Sequence, residues 1–112
     1  MSEPTGRPPL RVITRIEAEV DITDAAIWYE GQSKDLGGEF LAEVDAAIAR
    51  AAENPFHFPC LRRRPEVRRV LMDRFPYRVF YIRRTESIVV FRVLHAARHD
   101  REWRRSVSKN RE

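Results

Sequence analysis

Apolar positions along this chain change their spacing twice. From Leu10 to Ile16 they alternate with polar ones, Leu10, Val12 and Ile16 on one side and Arg11 and Arg15 on the other, which predicts a short β-strand. From Glu17 the period lengthens to that of a helix: Ala18, Ile22, Ala25 or Ala26 and Tyr29 share one stripe, while Glu17, Asp21, Asp24 and Glu30 face away. This helix should stop in Gly31-Gln32-Ser33-Lys34, and Leu36-Gly37-Gly38 offers backbone freedom for a tight reversal. A second helix then carries Phe40, Val44, Ala47, Ile48 and Ala51 on one face and ends before Asn54-Pro55.

After an irregular link containing Pro55, Pro59 and Pro65, the period returns to two. Residues 67–74, 77–84 and 87–95 read as strands, and the links Phe75-Pro76 and Thr85-Glu86 are short enough for hairpin turns, so the three form an antiparallel meander. Two helices with so short a link lie antiparallel, and their apolar stripes need a sheet to cover. The expected architecture is α+β in the order β-α-α-β-β-β, a helical hairpin on a small antiparallel sheet. Ile22, Tyr29, Phe40, Val44, Ile48, Val79 and Val90 are its expected core.

At 112 residues, 43% of them hydrophobic, the chain can bury one modest core. Residues 1–9, with three prolines and a glycine, read as a flexible arm, residues 10–105 as the single domain, and residues 106–112 as a loose tail. A helical turn is expected around Asp100-Arg101-Glu102-Trp103. No stretch approaches the roughly 20 apolar residues of a membrane span, and the N-terminus lacks a signal-peptide segment, so a cytoplasmic protein is expected. Cys60 is the only cysteine, which excludes an intramolecular disulfide and a cysteine metal cage and fits a reducing compartment.

Charge sharpens this picture. Residues 1–61 carry five basic and eleven acidic side chains, residues 62–112 sixteen basic and six acidic, and nineteen of the twenty-one basic residues are Arg. The planar guanidinium fork grips phosphate or carboxylate at two points, so the strand-forming half points to an oxyanion-bearing partner, nucleic acid or acidic protein. Arg68, Arg69, Arg78, Arg92 and Arg98 are the candidates for that contact. Arg68 and Arg69, as strand neighbours, point to opposite faces. The run Arg62-Arg63-Arg64 reads equally as a solvated loop or as a phosphate contact.

Chemistry has fewer candidates. His95 and His99 stand four apart but at a strand end with no third ligand, so no metal site is expected. No phosphate-cradling Gly loop or nucleophile–base signature is present, and no cofactor is expected. His95 has the right ordinary pKa range for a general base, although a strand-end His bonded to the backbone is commoner. Phe75, Tyr77, Phe80, Tyr81 and Phe91 could stack bases on an open sheet, but most are expected in the core.

Taken in order, Ala25-Ala26-Ile27-Trp28-Tyr29-Glu30, Leu36-Gly37-Gly38-Glu39-Phe40, Val44-Asp45-Ala46-Ala47-Ile48 and Asn54-Pro55 with Phe58-Pro59 resemble the helical half of the RelE/ParE toxin superfamily of type II toxin–antitoxin systems. Val67-Arg68-Arg69, Arg74-Phe75-Pro76-Tyr77-Arg78-Val79-Phe80-Tyr81, Val93-Leu94-His95-Ala96-Ala97-Arg98-His99 and Trp103 resemble its strand motifs and C-terminal aromatic. The resemblance implies a helical hairpin on an antiparallel sheet and a cognate antitoxin whose C-terminal segment wraps the toxin. In the ParE-like branch it implies growth arrest by poisoning of DNA gyrase, and a role in plasmid stabilisation. The alternative, a RelE-like ribosome-dependent mRNA endonuclease, would rest on His95, Tyr81 and Arg78 as catalytic residues, with Arg69 and Arg98 supplying charge. Phe75-Pro76-Tyr77-Arg78 and the scarcity of lysine, Lys34 and Lys109 alone, favour the ParE-like branch. A basic binding module without catalysis is the remaining alternative.

Overall fold

The computed structural model describes residues 8–109. Strand β1 (Arg11–Thr14) leads through Arg15 into α1 (Ile16–Gln32), and α2 (Leu36–Glu53) returns antiparallel to it. Strands β2 (Cys60–Arg63), β3 (Glu66–Leu71), β4 (Tyr77–Arg83) and β5 (Ser87–His95) follow, and α3 (Arg101–Lys109) closes the described chain. The five strands form one sheet in the order β1-β5-β4-β3-β2. The expected helical hairpin and three-stranded meander are present, joined by β2 at one edge and a full helix at the end.

Three local features depart from the sequence reading. The reversal between the helices is made by Asp35 in the left-handed region (φ 73°), and not by the glycines. Asp is among the residues that tolerate that conformation. The α2 N-terminus is satisfied from the neighbouring helix: one Glu30 carboxylate accepts the N–H groups of Asp35 and Gly37 at 3.0 and 2.9 Å. Gly37 serves close approach, since a methyl there would sit 2.6 Å from the Ala26 carbonyl oxygen. Asp21 does not face away. It lies on the flank of α1 beside β5, where its Oδ2 accepts the Val93 N–H at 2.9 Å.

That bond follows from the strand lengths. β1 runs parallel to β5, the long crossover through the rest of the domain making this possible, and ends at Thr14 opposite Val90. β5 continues to His95, paired with β4 on one side, so on the β1 side its last residues have no strand beside them. A carboxylate from α1 takes the place of the missing carbonyl at Val93.

Both faces of the sheet are buried. Toward the helical hairpin, Val70, Val79, Tyr81, Ile88, Val90 and Val93 pack with Ala18, Ala25, Phe40, Val44, Ala47 and Ala51. Of the expected core residues Phe40, Val44, Val79 and Val90 are fully buried, and Ile22, Tyr29 and Ile48 pack partly buried around them. Phe40 stacks on Tyr29 at 5.3 Å and meets Phe75 and Tyr77 edge-on. On the other face Val67, Phe80, Ile82, Val89, Phe91 and Leu94 are capped by Trp103 and Val107 of α3. That helix runs well past the expected turn and through Ser106, into the segment read as a loose tail; residues 1–7 of the expected arm 1–9 and the last three residues lie outside the described residues.

Candidate partner-binding site

Three of the five arginines expected on an open surface are spent inside the domain. Arg78, only 9% exposed, lies across the Phe80 ring and donates to the Arg98 carbonyl at 3.0 Å, with Asp100 at 3.6 Å. It ties the segment after β5 to the sheet. Arg92 donates through Nε and Nη2 to both oxygens of Asp21 at 2.7 and 3.0 Å and through Nη1 to Ser106 Oγ at 2.9 Å, joining α1, β5 and α3. This fork–fork hydrogen bond to Asp21 holds the Arg92 pKa above its ordinary value. Arg68 bonds Glu66 at 2.6 Å and the Phe58 carbonyl at 2.6 Å, fixing the link between α2 and β2. Arg83 grips the same Glu66 with two bonds of 2.9 Å, and this contact first, then Arg68, pulls the Glu66 carboxyl down to about 2 against its burial.

Arg69 and Arg98 differ from these. Arg98 is exposed and makes one loose contact, 3.4 Å to Glu102. Arg69 is half-buried and has no hydrogen-bond or ion-pair partner for its guanidinium among the described residues.

The three residues that a nuclease reading needs do not converge. Tyr81 is fully buried toward the helical hairpin, where its hydroxyl donates to the Pro55 carbonyl at 2.7 Å, and burial pushes its pKa up to about 12. Arg78 lies on the opposite face of the sheet, under α3. His95, half-buried at the end of β5, accepts the Ala97 N–H on Nδ1 at 2.9 Å and packs against Tyr77. Among the described residues no group of three or more His, Cys, Asp or Glu side chains could hold a metal ion.

Two surfaces remain open. On α1, Ile16, Val20 and Ile27 are more than half exposed and fall on one stripe opposite the core, with exposed Trp28 on the flank. Trp28, Asp21, Asp24, Tyr77, His95 and Arg98 line a cleft of about 270 Å³ along the uncovered end of β5. A helix apolar on two sides, beside a strand end that is open along one edge, is shaped to receive another chain. The second surface is a basic ridge: Arg62, Arg63 and Arg64 on the β2 edge, and Arg101, Arg104 and Arg105 on the outer side of α3, are all exposed. Arg62 and Arg104 line one shallow cavity with Leu61 and Trp103. The α3 arginines were missed in the sequence; Trp103 and Val107, four apart, were the sign of a helix that would display them.

Among the described residues no helix is long and apolar enough to cross a membrane. No individual curated protein matches the chain significantly. The family described as ParE toxin of type II toxin-antitoxin system, parDE, matches residues 8–100, from the start of the described chain through the Arg78 and Arg92 anchors to the entry of α3. The chain therefore belongs to the ParE toxin family and is the toxin of a type II toxin–antitoxin pair, a class that implies a cognate antitoxin protein as partner.

Proposed function

We propose that this toxin arrests growth by binding and poisoning DNA gyrase, without cutting RNA. The observation that carries this reading is the dispersal of His95, Tyr81 and Arg78 over different sites, with Tyr81 and Arg78 locked in internal hydrogen bonds. A general base needs to reach the proton it abstracts and a stabilising cation must face the same reacting group; Tyr81 and Arg78 lie on opposite faces of the sheet, with His95 at the end of β5. The basic ridge of Arg62, Arg63, Arg64, Arg101, Arg104 and Arg105 is the surface suited to an oxyanion-rich target. The antitoxin segment covers the outer stripe of α1, where Ile16, Val20, Ile27 and Trp28 offer anchors for an amphipathic helix.

The test pairs a gyrase supercoiling and DNA-cleavage assay with a translating-ribosome reaction. Trapped gyrase–DNA cleavage with intact mRNA supports the proposal, and His95→Ala leaves that activity within about twofold because His95 binds no reacting group. Normal gyrase with cuts in ribosomal A-site mRNA, abolished by His95→Ala, would overturn it. Ile27→Asp then separates the surfaces: it should abolish neutralisation by antitoxin and spare action on gyrase.

A further inference from the structure

The two open surfaces of the domain differ in kind. The α1 stripe presents Ile16, Val20 and Ile27, each more than half exposed, with the acids Glu17, Glu19 and Asp24 beside them. The basic ridge presents almost nothing apolar: Trp103 and Val107 beneath it are 2% and 1% exposed, and Leu61 is half-buried. A stable contact with another protein is centred on apolar anchors, whereas a contact with nucleic acid is polar and strongly positive.

Two elements build the ridge. Arg101, Arg104 and Arg105 stand at i, i+3 and i+4 on α3, which at 3.6 residues per turn gathers them on the side away from Trp103 and Val107. Arg62 of β2 and Arg104 line one shallow cavity of about 280 Å³ with Leu61 and Trp103, so the strand and the helix bring their charges together. Arg63 and Arg64 follow at the end of β2 and in the turn after it. The nearby acids are turned elsewhere. Asp100 lies 3.6 Å from Arg78, and Glu66 is held by Arg68 and Arg83. Glu102 leaves α3 on the flank opposite Arg104 and meets Arg98 at 3.4 Å. Among the described residues no hydrogen bond or ion pair engages the guanidiniums of Arg62, Arg101, Arg104 and Arg105, and Arg104 only lies 5.3 Å over the Trp103 ring. Like charges gathered without counter-charges create a field that attracts a polyanion.

We propose that this ridge is a contact for the phosphate backbone of duplex DNA, made without regard to base sequence. As the surface that meets the DNA held by gyrase, it rests on the gyrase reading; as a DNA contact, it is measured without gyrase. Each guanidinium fork can grip two phosphate oxygens, and phosphate contacts position a protein on a duplex while carrying no sequence information. Single strands are bound by exposed rings on which bases stack, and the ring at the ridge, Trp103, is buried.

The experiment is a fluorescence-anisotropy titration of the full chain against a labelled random-sequence DNA duplex, repeated over a series of salt concentrations. Contacts from Arg62, Arg101, Arg104 and Arg105 predict a log–log salt slope of about −3 to −4, an affinity falling roughly hundredfold between about 50 and 200 mM salt. The double variant Arg101→Gln, Arg104→Gln should flatten the slope by about two. Arg62→Gln, on the other element, should flatten it by about one and decides the matter if the α3 variant does not fold. Arg11→Gln, exposed on β1 at the opposite edge of the sheet from β2, should leave it as in wild type. Absence of duplex binding, an unaltered slope in the ridge variants, an equal change in Arg11→Gln, or tighter binding of single strands, duplex RNA or polyglutamate overturns the proposal. Duplex binding of the expected kind without trapped gyrase cleavage removes the gyrase reading and leaves the ridge contact standing; trapped cleavage without duplex binding does the reverse.

Discussion

The two faces of the sheet are buried by unlike means. On one, α1 and α2 supply seventeen and eighteen residues of helix, and the contact is a continuous apolar layer of Ala, Val and aromatic side chains. On the other, the nine-residue α3 offers Trp103 and Val107, and the cover is completed by arginines: Arg78 bonds the main chain ahead of the helix and Arg92 bonds Ser106 within it. Where the helical cover is broad, burial holds it; where it is narrow, guanidiniums pin it through several directional bonds. Even on the hairpin side the ions appear where the helices run out, as Glu66 with Arg68 and Arg83 beneath the link that follows α2. A strongly basic half thus became, in large part, internal fastening.

Breaking the broad face should cost most. Phe40, fully buried among Tyr29, Phe75 and Tyr77, is the centre of the apolar layer. Phe40→Ala should destabilise the whole domain by about 3–5 kcal/mol, read as a lower urea midpoint with one cooperative transition. A drop below about 1 kcal/mol would show that the hairpin face does not carry the fold.

The narrow face should fail locally. Trp103 stacks on Phe80 at 5.9 Å and is 2% exposed, yet few other apolar contacts secure α3. Trp103→Ala should remove up to about 3 kcal/mol of hydrogen-exchange protection from residues 101–107 while β4 and β5 keep theirs. Equal loss of protection in β4 and β5 would mean that α3 belongs to the same cooperative unit as the hairpin.

This contrast also explains what could be read from the chain. Helices α1 and α2 and strands β3 to β5 were legible because their apolar residues repeat at 3.6 or 2, and the family resemblance rested on the same segments. Strand β2 was not, since Cys-Leu-Arg-Arg at a sheet edge buries little and shows no alternation. Nor was the fate of the arginines: periodicity tells which way a side chain leaves the backbone, and Arg78, Arg92 and Arg68 were fixed by carbonyls and acids that the fold brings to them, from Glu66 two residues from Arg68 to Asp21 on α1 for Arg92. Asp21 was assigned to solvent because its role depends on where β1 ends relative to β5, a fact of tertiary register. For the candidate site, the basic half was visible and the exposed ridge within it was not, apart from Arg62-Arg63-Arg64.

The smallest effect should come where ions replace helix on the hairpin side, and there pH is the probe. Glu66 has its pKa lowered from 4.5 to about 2, first by its hydrogen bond with Arg83 and then by that with Arg68. A carboxyl lowered on folding contributes stability that is fully present above its unfolded value and is lost as pH falls toward its folded value. The contribution should therefore be intact at pH 6 and fade between about pH 4.5 and about 2. Glu66→Gln removes the charge at every pH, so wild type and variant should differ in urea midpoint at pH 6 and approach each other toward pH 2.5, apart from the steady loss of one hydrogen-bonded oxygen. The gap at pH 6 should be smaller than that of Phe40→Ala because the pair lies at the rim, with Glu66 19% exposed. Midpoints separated by the same amount at pH 6 and pH 2.5 would show that the Glu66 charge contributes nothing, and that the rim is held by the Arg68 bonds to the Phe56 and Phe58 carbonyls and by Arg83 lying 4.2 Å over the Phe56 ring.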